Sequence, residues 1–227
     1  MNLTKKLIFW IPFVLVSLGT IFIILRSYTD PERLGGFSSD TASTYIEIGG
    51  TRLFVPRNMI RFRDQREISA LSMLDLFVQW PSMKGFTRQD AATFQNINGS
   101  SALIFITLEA GEPLNSAQKK LDGLYRRYFS KSPWRGPAGL IGNALDSSSG
   151  YLSEDVLYTK HNDDLFLTRC LQEGRGEARN LLPTCIYEFT FEDGINAYVR
   201  FHRSHLADWK ILDERIKRLL ATMRTTN

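Results

Sequence analysis

Three histidines, two cysteines and one cluster of arginines are the residues whose types and spacing could do chemistry in this chain of 227 residues. His202 and His205 stand three apart near the end of a strand-like run. A metal needs three or four ligands, and no cysteine or carboxylate cluster follows this pair. Alternation along a strand also turns positions three apart to opposite faces. Both histidines therefore read as polar strand-end residues. His161, beside Asp163 and Asp164, has the composition of a base with an orienting carboxylate. The sequence His161-Asn162-Asp163-Asp164 is more simply a hairpin tip, where Asn and Asp favour turn geometry.

Nucleophile and phosphate motifs are missing. There is no Gly-x-Ser-x-Gly elbow, no supported Ser-x-x-Lys, no His-Glu-x-x-His and no phosphate-cradling glycine loop. The sequence assigns no catalytic, cofactor-binding or metal-ligating residue, and it implies no cofactor. Paired carboxylates leave no local signature, so an enzyme stays open on this ground alone.

Arg57, Arg61, Arg63 and Arg66 form the one notable basic cluster, interleaved with Met59, Ile60 and Phe62. As an interaction patch it could meet anionic lipid, a glycan or an acidic partner. As a solvated edge strand, the same charges would prevent edge-to-edge pairing. Cys170 and Cys185 bound a segment rich in Gly, Arg and Glu. An even cysteine count in an oxidising compartment predicts a disulfide between them. The closed loop of about 15 residues would stabilise the fold by about 3 kcal/mol in the chain-entropy model.

The elements that must position these residues follow from periodicity and turn signals. Tyr45–Ile48 and Thr51–Val55 flank Gly49-Gly50, which supplies the positive φ angles of a type I′ hairpin. Ile46, Ile48, Leu53 and Val55 make one face apolar, and Pro56 ends the second strand. Ser72–Trp80 alternates, with Leu74, Leu76, Val78 and Trp80 on one side, and Ala102–Leu108 is nearly all apolar. Leu114, Ala117, Leu121, Leu124, Tyr125 and Tyr128 predict a helix over residues 116–129. Strand-like runs follow at 140–145, 155–160, 165–170, 185–191 and 195–202, the last two joined by Asp193-Gly194. A closing helix starts at Asp208 as N-cap and carries Trp209, Leu212, Ile216, Leu219 and Met223 along one stripe. The pairs Asp213/Lys217 and Glu214/Arg218 suit its exposed face. The order predicts an α+β domain with one twisted antiparallel sheet and packed helices. This element order resembles the α/β/α sandwich of the extracytoplasmic P subunit of the photosystem oxygen-evolving complex and its bacterial relatives. The resemblance is of order alone, and it carries over no functional residue.

Upstream lies an unbroken apolar run from Leu7 to Leu25, preceded by Lys5 and Lys6 and followed by Arg26. As a helix it would span about 28 Å, close to a bilayer's hydrocarbon core. A cleaved signal would have a shorter apolar core and a small-x-small site after it, and neither is present. Trp10 and Tyr28 suit the interfacial belts, and Pro12 and Gly19 are tolerated inside a span. The run holds no ionisable residue, so it carries no sign of transport. The expected organisation is a short cytoplasmic tail (1–6), an anchor (7–26), a flexible linker (27–44) and an extracytoplasmic domain (45–227). The lysine-bearing tail sets the orientation, with a bacterial inner membrane as the setting and the domain in the periplasm. A cytoplasmic domain on a reversed anchor is the alternative, and reduced cysteines would mark it.

Hydrophobic content of 43% and aromatic content of 12% support a packed core. The net charge of +4 falls further once the two tail lysines are set aside, leaving 26 basic residues against 24 acidic ones. That balance excludes a nucleic-acid footprint. Two functions remain. The domain binds another envelope component as an assembly, accessory or immunity-type factor, or it is an anchored hydrolase acting on a cell-wall or glycan substrate. A cleft with converging carboxylates or a perturbed His161 would favour the hydrolase. A continuous exposed apolar patch on the sheet would favour the binder.

Overall fold

The computed structural model describes residues 16–21, 36–96, 102–151, 153–161, 164–172, 184–192 and 194–224. It is a mixed α+β domain built on an antiparallel sheet. β1 (Ser43–Ile48) and β2 (Thr51–Pro56) form the expected hairpin, with Gly49 and Gly50 at φ +57° and +82°. A Cβ on Gly49 would stand 2.6 Å from the Gly194 carbonyl oxygen, so this turn seats on a second hairpin turn and has no room for a side chain.

The first correction concerns sheet number. The β1/β2 hairpin does not join the main sheet. β3 (Ala70–Leu71) pairs parallel with β1, giving a separate sheet of order β2-β1-β3. After Pro56 the chain turns through short 3-10 segments (Arg57–Met59 and Asp64–Arg66) and returns to place β3 on the side of β1 opposite β2.

The larger sheet has eight strands, all antiparallel: β4 (Met73–Gln79), β5 (Leu103–Ala110), β6 (Trp134–Arg135), β7 (Ile141–Ala144), β8 (Glu154–His161), β9 (Asp164–Leu171), β10 (Thr184–Glu192) and β11 (Ile195–His202), in the order β4-β5-β11-β10-β9-β8-β7-β6. Strands β6 to β11 run as a meander, and β11 closes it by pairing with β5. Cys170 and Cys185 lie directly opposite each other on β9 and β10 and form the expected disulfide.

Alternation divides this sheet into two faces. One packs Leu74, Leu76 and Val78 of β4, Ile104, Ile106 and Leu108 of β5, and Val199 and Phe201 of β11 against Ile46, Ile48, Leu53 and Val55 of the small sheet. The final helix α3 (Trp209–Thr222) covers the rest of that face with Trp209, Leu212, Ile216 and Leu220. Asp208 holds the N-cap position of α3 without a side-chain cap bond. The turn before it (Arg203–Asp208) is capped instead by His202, whose Nδ1 accepts from the Ser204 N–H at 3.2 Å.

Asp213 also departs from expectation. It is buried, not exposed, because Tyr187 on β10 reaches it and donates its hydroxyl at 2.7 Å. Lys217 still pairs with it at 3.0 Å. Burial, with the Asp213 charge second, holds the Tyr187 phenol far above its ordinary pKa, so it stays a neutral donor.

Among the described residues the opposite face is covered only toward its two ends. Short α1 (Ala91–Gln95) presents Phe94 to Phe77 and Phe86 at the β4 end. Phe37 stacks on the same group, so the core begins upstream of Tyr45, inside the segment expected to be linker. At the other end α2 (Ala117–Lys120), capped by Ser116, runs on as a π turn and a 3-10 turn to Tyr128. Its Leu121 and Tyr125 pack on Val156, Leu165 and Leu167.

Of the predicted anchor, only residues 16–21 are among those described. They are helical, and the side chains of Val16, Leu18 and Ile21 are exposed. Among the described residues no helix is long and apolar enough to cross a membrane. The remainder of the run, linker residues 27–35 and the turn residues Asn162, Asp163 and Asp193 lie outside the described residues.

Candidate functional site

Between α1 and α2 the described residues leave part of one sheet face uncovered. Register places its side chains in cross-strand rows. Asp75, Thr107, Tyr198 and Glu188 are aligned across β4, β5, β11 and β10. The next row holds Phe77, Phe105, Arg200, Ile186 and Arg169. A third row, with Met73, Glu109, Asn196 and Thr190, is partly roofed. There the Leu114 N–H donates to Thr190 Oγ1 at 2.9 Å, and Asn196 Nδ2 donates to the Glu112 carbonyl at 2.9 Å. Phe105, Thr107, Tyr198 and Ile186 are half-buried, and Arg200 is exposed.

Arg61 enters the same face from outside the sheet. Its N–H donates to the Asp75 carbonyl at 2.8 Å, and Ile60 bridges to Leu76, so the segment runs along the free edge of β4. The Arg61 guanidinium carbon lies 5.0 Å from the centre of the Phe105 ring and 4.9 Å from that of Phe62. Arg200 lies 5.1 Å from the same Phe105 ring. Two cations thus lie within cation–π range of one aromatic ring. Burial first, and then the Arg200 charge, lower the Arg61 pKa, with Asp75 opposing them. The Asp75 carboxylate is itself engaged, accepting from Thr107 Oγ1 at 2.7 Å and from Gln65 Nε2 at 3.2 Å. Phe62 and Met73 flank this group, each 43% exposed. Toward α2 the face is closed by the ion pairs Lys120–Glu188, at 2.7 Å, and Arg169–Glu154.

The arginine cluster read from the sequence distributes over different environments. Arg61 lies on the open face. Arg66 is buried, and its guanidinium donates to the carbonyls of Ile60, at 2.8 Å, and Gly36. Burial, then the Arg63 charge, lower its pKa. Arg57 lines a small cavity with Arg66, Tyr45 and Ile68 and stands 3.9 Å from Asp40. Arg63 is exposed.

His161 packs edge-on against the Trp209 ring, with centroids 5.0 Å apart, and opposes Asp164 where β8 meets β9. The His202 and His205 rings are 6.4 Å apart. Among the described residues no group of three or more His, Cys, Asp and Glu is placed to hold a metal ion. A second cavity, of about 580 Å3, is bordered by Trp134, Lys131, Gln172, Asp155 and Arg203. Asp155 is the one carboxylate among the described residues of its lining, and it is already bound by Arg203 Nη2 at 2.7 Å and Gln172 Nε2 at 2.8 Å. Among the described residues the cavity therefore brings no pair of carboxylates together for acid–base work.

Sequence reasoning missed Arg200, Phe105 and Tyr198. Alternation in 195–202 does place Arg200 opposite Val199 and Phe201. The pairing of β5 with β11, which sets it beside Phe105, joins segments far apart in sequence and leaves no local signal.

No protein-family model matches this chain, and no curated protein matches it in sequence. Among solved structures it is similar to an immunity protein of the Stenotrophomonas maltophilia type IV secretion system. That match has a TM-score of 0.55 and 16% identity, and it covers 82% of this chain and 94% of the other. It is also similar to the Neisseria meningitidis iron-regulated outer membrane lipoprotein FrpD, with a TM-score of 0.52 and 10% identity, over 84% of this chain and 96% of that one. At these identities the likeness is one of fold.

Proposed function

We propose that this chain is a single-pass envelope protein whose extracytoplasmic domain binds another envelope protein, as an assembly, accessory or immunity-type factor. The observation that carries the reading is the uncovered sheet face. Phe62, Met73, Phe105 and two arginines lie there between helical covers, in a mixed apolar and cationic arrangement of the kind that protein interfaces favour. Two structural neighbours of the fold, an immunity protein and an outer membrane lipoprotein, support a binding role in the envelope.

The proposed setting is a bacterial inner membrane, with the N-terminus in the cytoplasm and the domain in the periplasm. The apolar run from Leu7 to Leu25 and the lysines before it support that placement. The cross-strand disulfide between Cys170 and Cys185 fits an oxidising compartment.

Mild crosslinking of intact cells, followed by capture of the full chain, tests the reading. One specific envelope protein should be recovered, in amounts that fall when Phe105 and Arg200 are replaced. Recovery of no specific partner, with cleavage of cell-wall material by the purified chain, would replace the binder with the hydrolase.

A further inference from the structure

We infer that the open face recognises an acidic segment of its protein partner, with Arg61 and Arg200 receiving a carboxylate above Phe105. The inference rests on the binding role proposed above and names the chemistry of its partner. Both guanidinium carbons lie about 5 Å from the centre of one Phe105 ring. A guanidinium at that distance can stack its plane on the ring and turn its N–H edge to a planar acceptor, the geometry in which arginine binds carboxylates through two parallel hydrogen bonds.

The neighbouring acids offset this pair of charges only in part, since Asp75 favours the charged form of Arg61 while the row of Arg200 holds no acid among the described residues. Asp75 is held by Thr107 and Gln65, and Glu188 by Lys120. Glu109 belongs to the adjoining row, beside Met73. Two cations packed on one half-buried ring repel each other, and an incoming carboxylate relieves that repulsion while the ring and Phe62 shield it from water.

The same surroundings select a protein segment over a polyanion. Glu188 and Glu109 stand one and two rows from Arg200, both on the same side of it, and would repel a continuous array of phosphates running that way. A chain bearing one or two carboxylates among apolar side chains can set them at the arginines and Phe62 and keep uncharged side chains over Met73 and its neighbour Glu109.

The test uses the full chain in detergent micelles and three fluorescein-labelled dodecapeptides that differ only in a central Glu-Leu-Glu, Gln-Leu-Gln or Lys-Leu-Lys. The Glu peptide should bind about tenfold more tightly than the Gln peptide at low salt, and the advantage should shrink as salt rises. Arg61→Gln and Arg200→Gln should each remove that advantage with an unchanged thermal midpoint. Arg218→Gln, on the exposed side of α3, should leave it intact. Equal binding of the Glu and Gln peptides, absence of binding, or an advantage that survives both substitutions would overturn the inference. So would selective, arginine-dependent binding to vesicles of equal phosphatidylglycerol and phosphatidylcholine without preference among the peptides, which would assign the face to a membrane. The envelope-binding role itself fails on the cell crosslinking, which uses no peptide. A recovered partner together with equal Glu and Gln binding would remove the acidic segment and leave that role standing.

Discussion

The two faces of the eight-stranded sheet are built from the same strands and differ in what covers them. On one, every second residue of β4, β5 and β11 is apolar and meets either α3 or the small sheet, and Leu74, Ile106, Val199 and Leu212 have no measurable exposure. On the other, α1 and α2 seal the ends with aromatic and aliphatic clusters, and the space between them holds Arg61, Arg200, Phe105 and Tyr198. The alternating pattern of a strand lets one segment serve both purposes, stability on one side and, as proposed, recognition on the other. Val199 and Arg200 are adjacent in sequence and belong to different tasks.

Perturbing each face in turn should separate those tasks. Leu212→Ala opens a cavity on the covered face where α3 meets the sheet, and should cost about 2–5 kcal/mol. That is a large part of a typical domain's stability, and chemical denaturation should register it as a lower midpoint with an unchanged slope. Replacing both Cys170 and Cys185 with serine removes a crosslink closing a 15-residue separation, at an expected cost of about 3 kcal/mol. Thermal unfolding with and without reductant should converge for this variant and differ for the parent chain. Tyr187→Phe leaves the buried Asp213 carboxylate without its hydroxyl donor, though Lys217 remains, and should cost about 1–3 kcal/mol. Arg200→Gln should behave oppositely. It removes one of two like charges beside Phe105, so stability should hold within about 0.5 kcal/mol or rise slightly, while partner capture from cells declines. A large loss of stability at Arg200 would place it with the structural residues and erase the distinction between the faces.

Much of the covered face was legible in the sequence. Ile46, Ile48, Leu53 and Val55 alternate around Gly49-Gly50, the α3 stripe has helical spacing, and the cysteine pair falls at two strand ends, all signals carried within short windows. The separate sheet was not legible, because β1 chooses β3 as its neighbour through a return path that no local pattern encodes. Asp213 looked like half of a surface i,i+4 pair until Tyr187, on a distant strand, buried it. The open face was half visible. Arg61 stood out by composition, but its counterpart Arg200 appears beside it only because β11 closes the meander onto β5. Arg66, read as part of the same patch, is instead a buried donor to two carbonyls, since a long cation can satisfy backbone acceptors as readily as it meets a partner.

A photo-crosslinking side chain placed at Thr107 on the open face, or at Ile211 on the outward side of α3, and activated in intact cells tests the division of the two faces most directly. The account predicts one discrete envelope-protein adduct from Thr107, lost when Arg61 and Arg200 are changed to Gln, and none from Ile211. An adduct from Ile211 with none from Thr107 would contradict it.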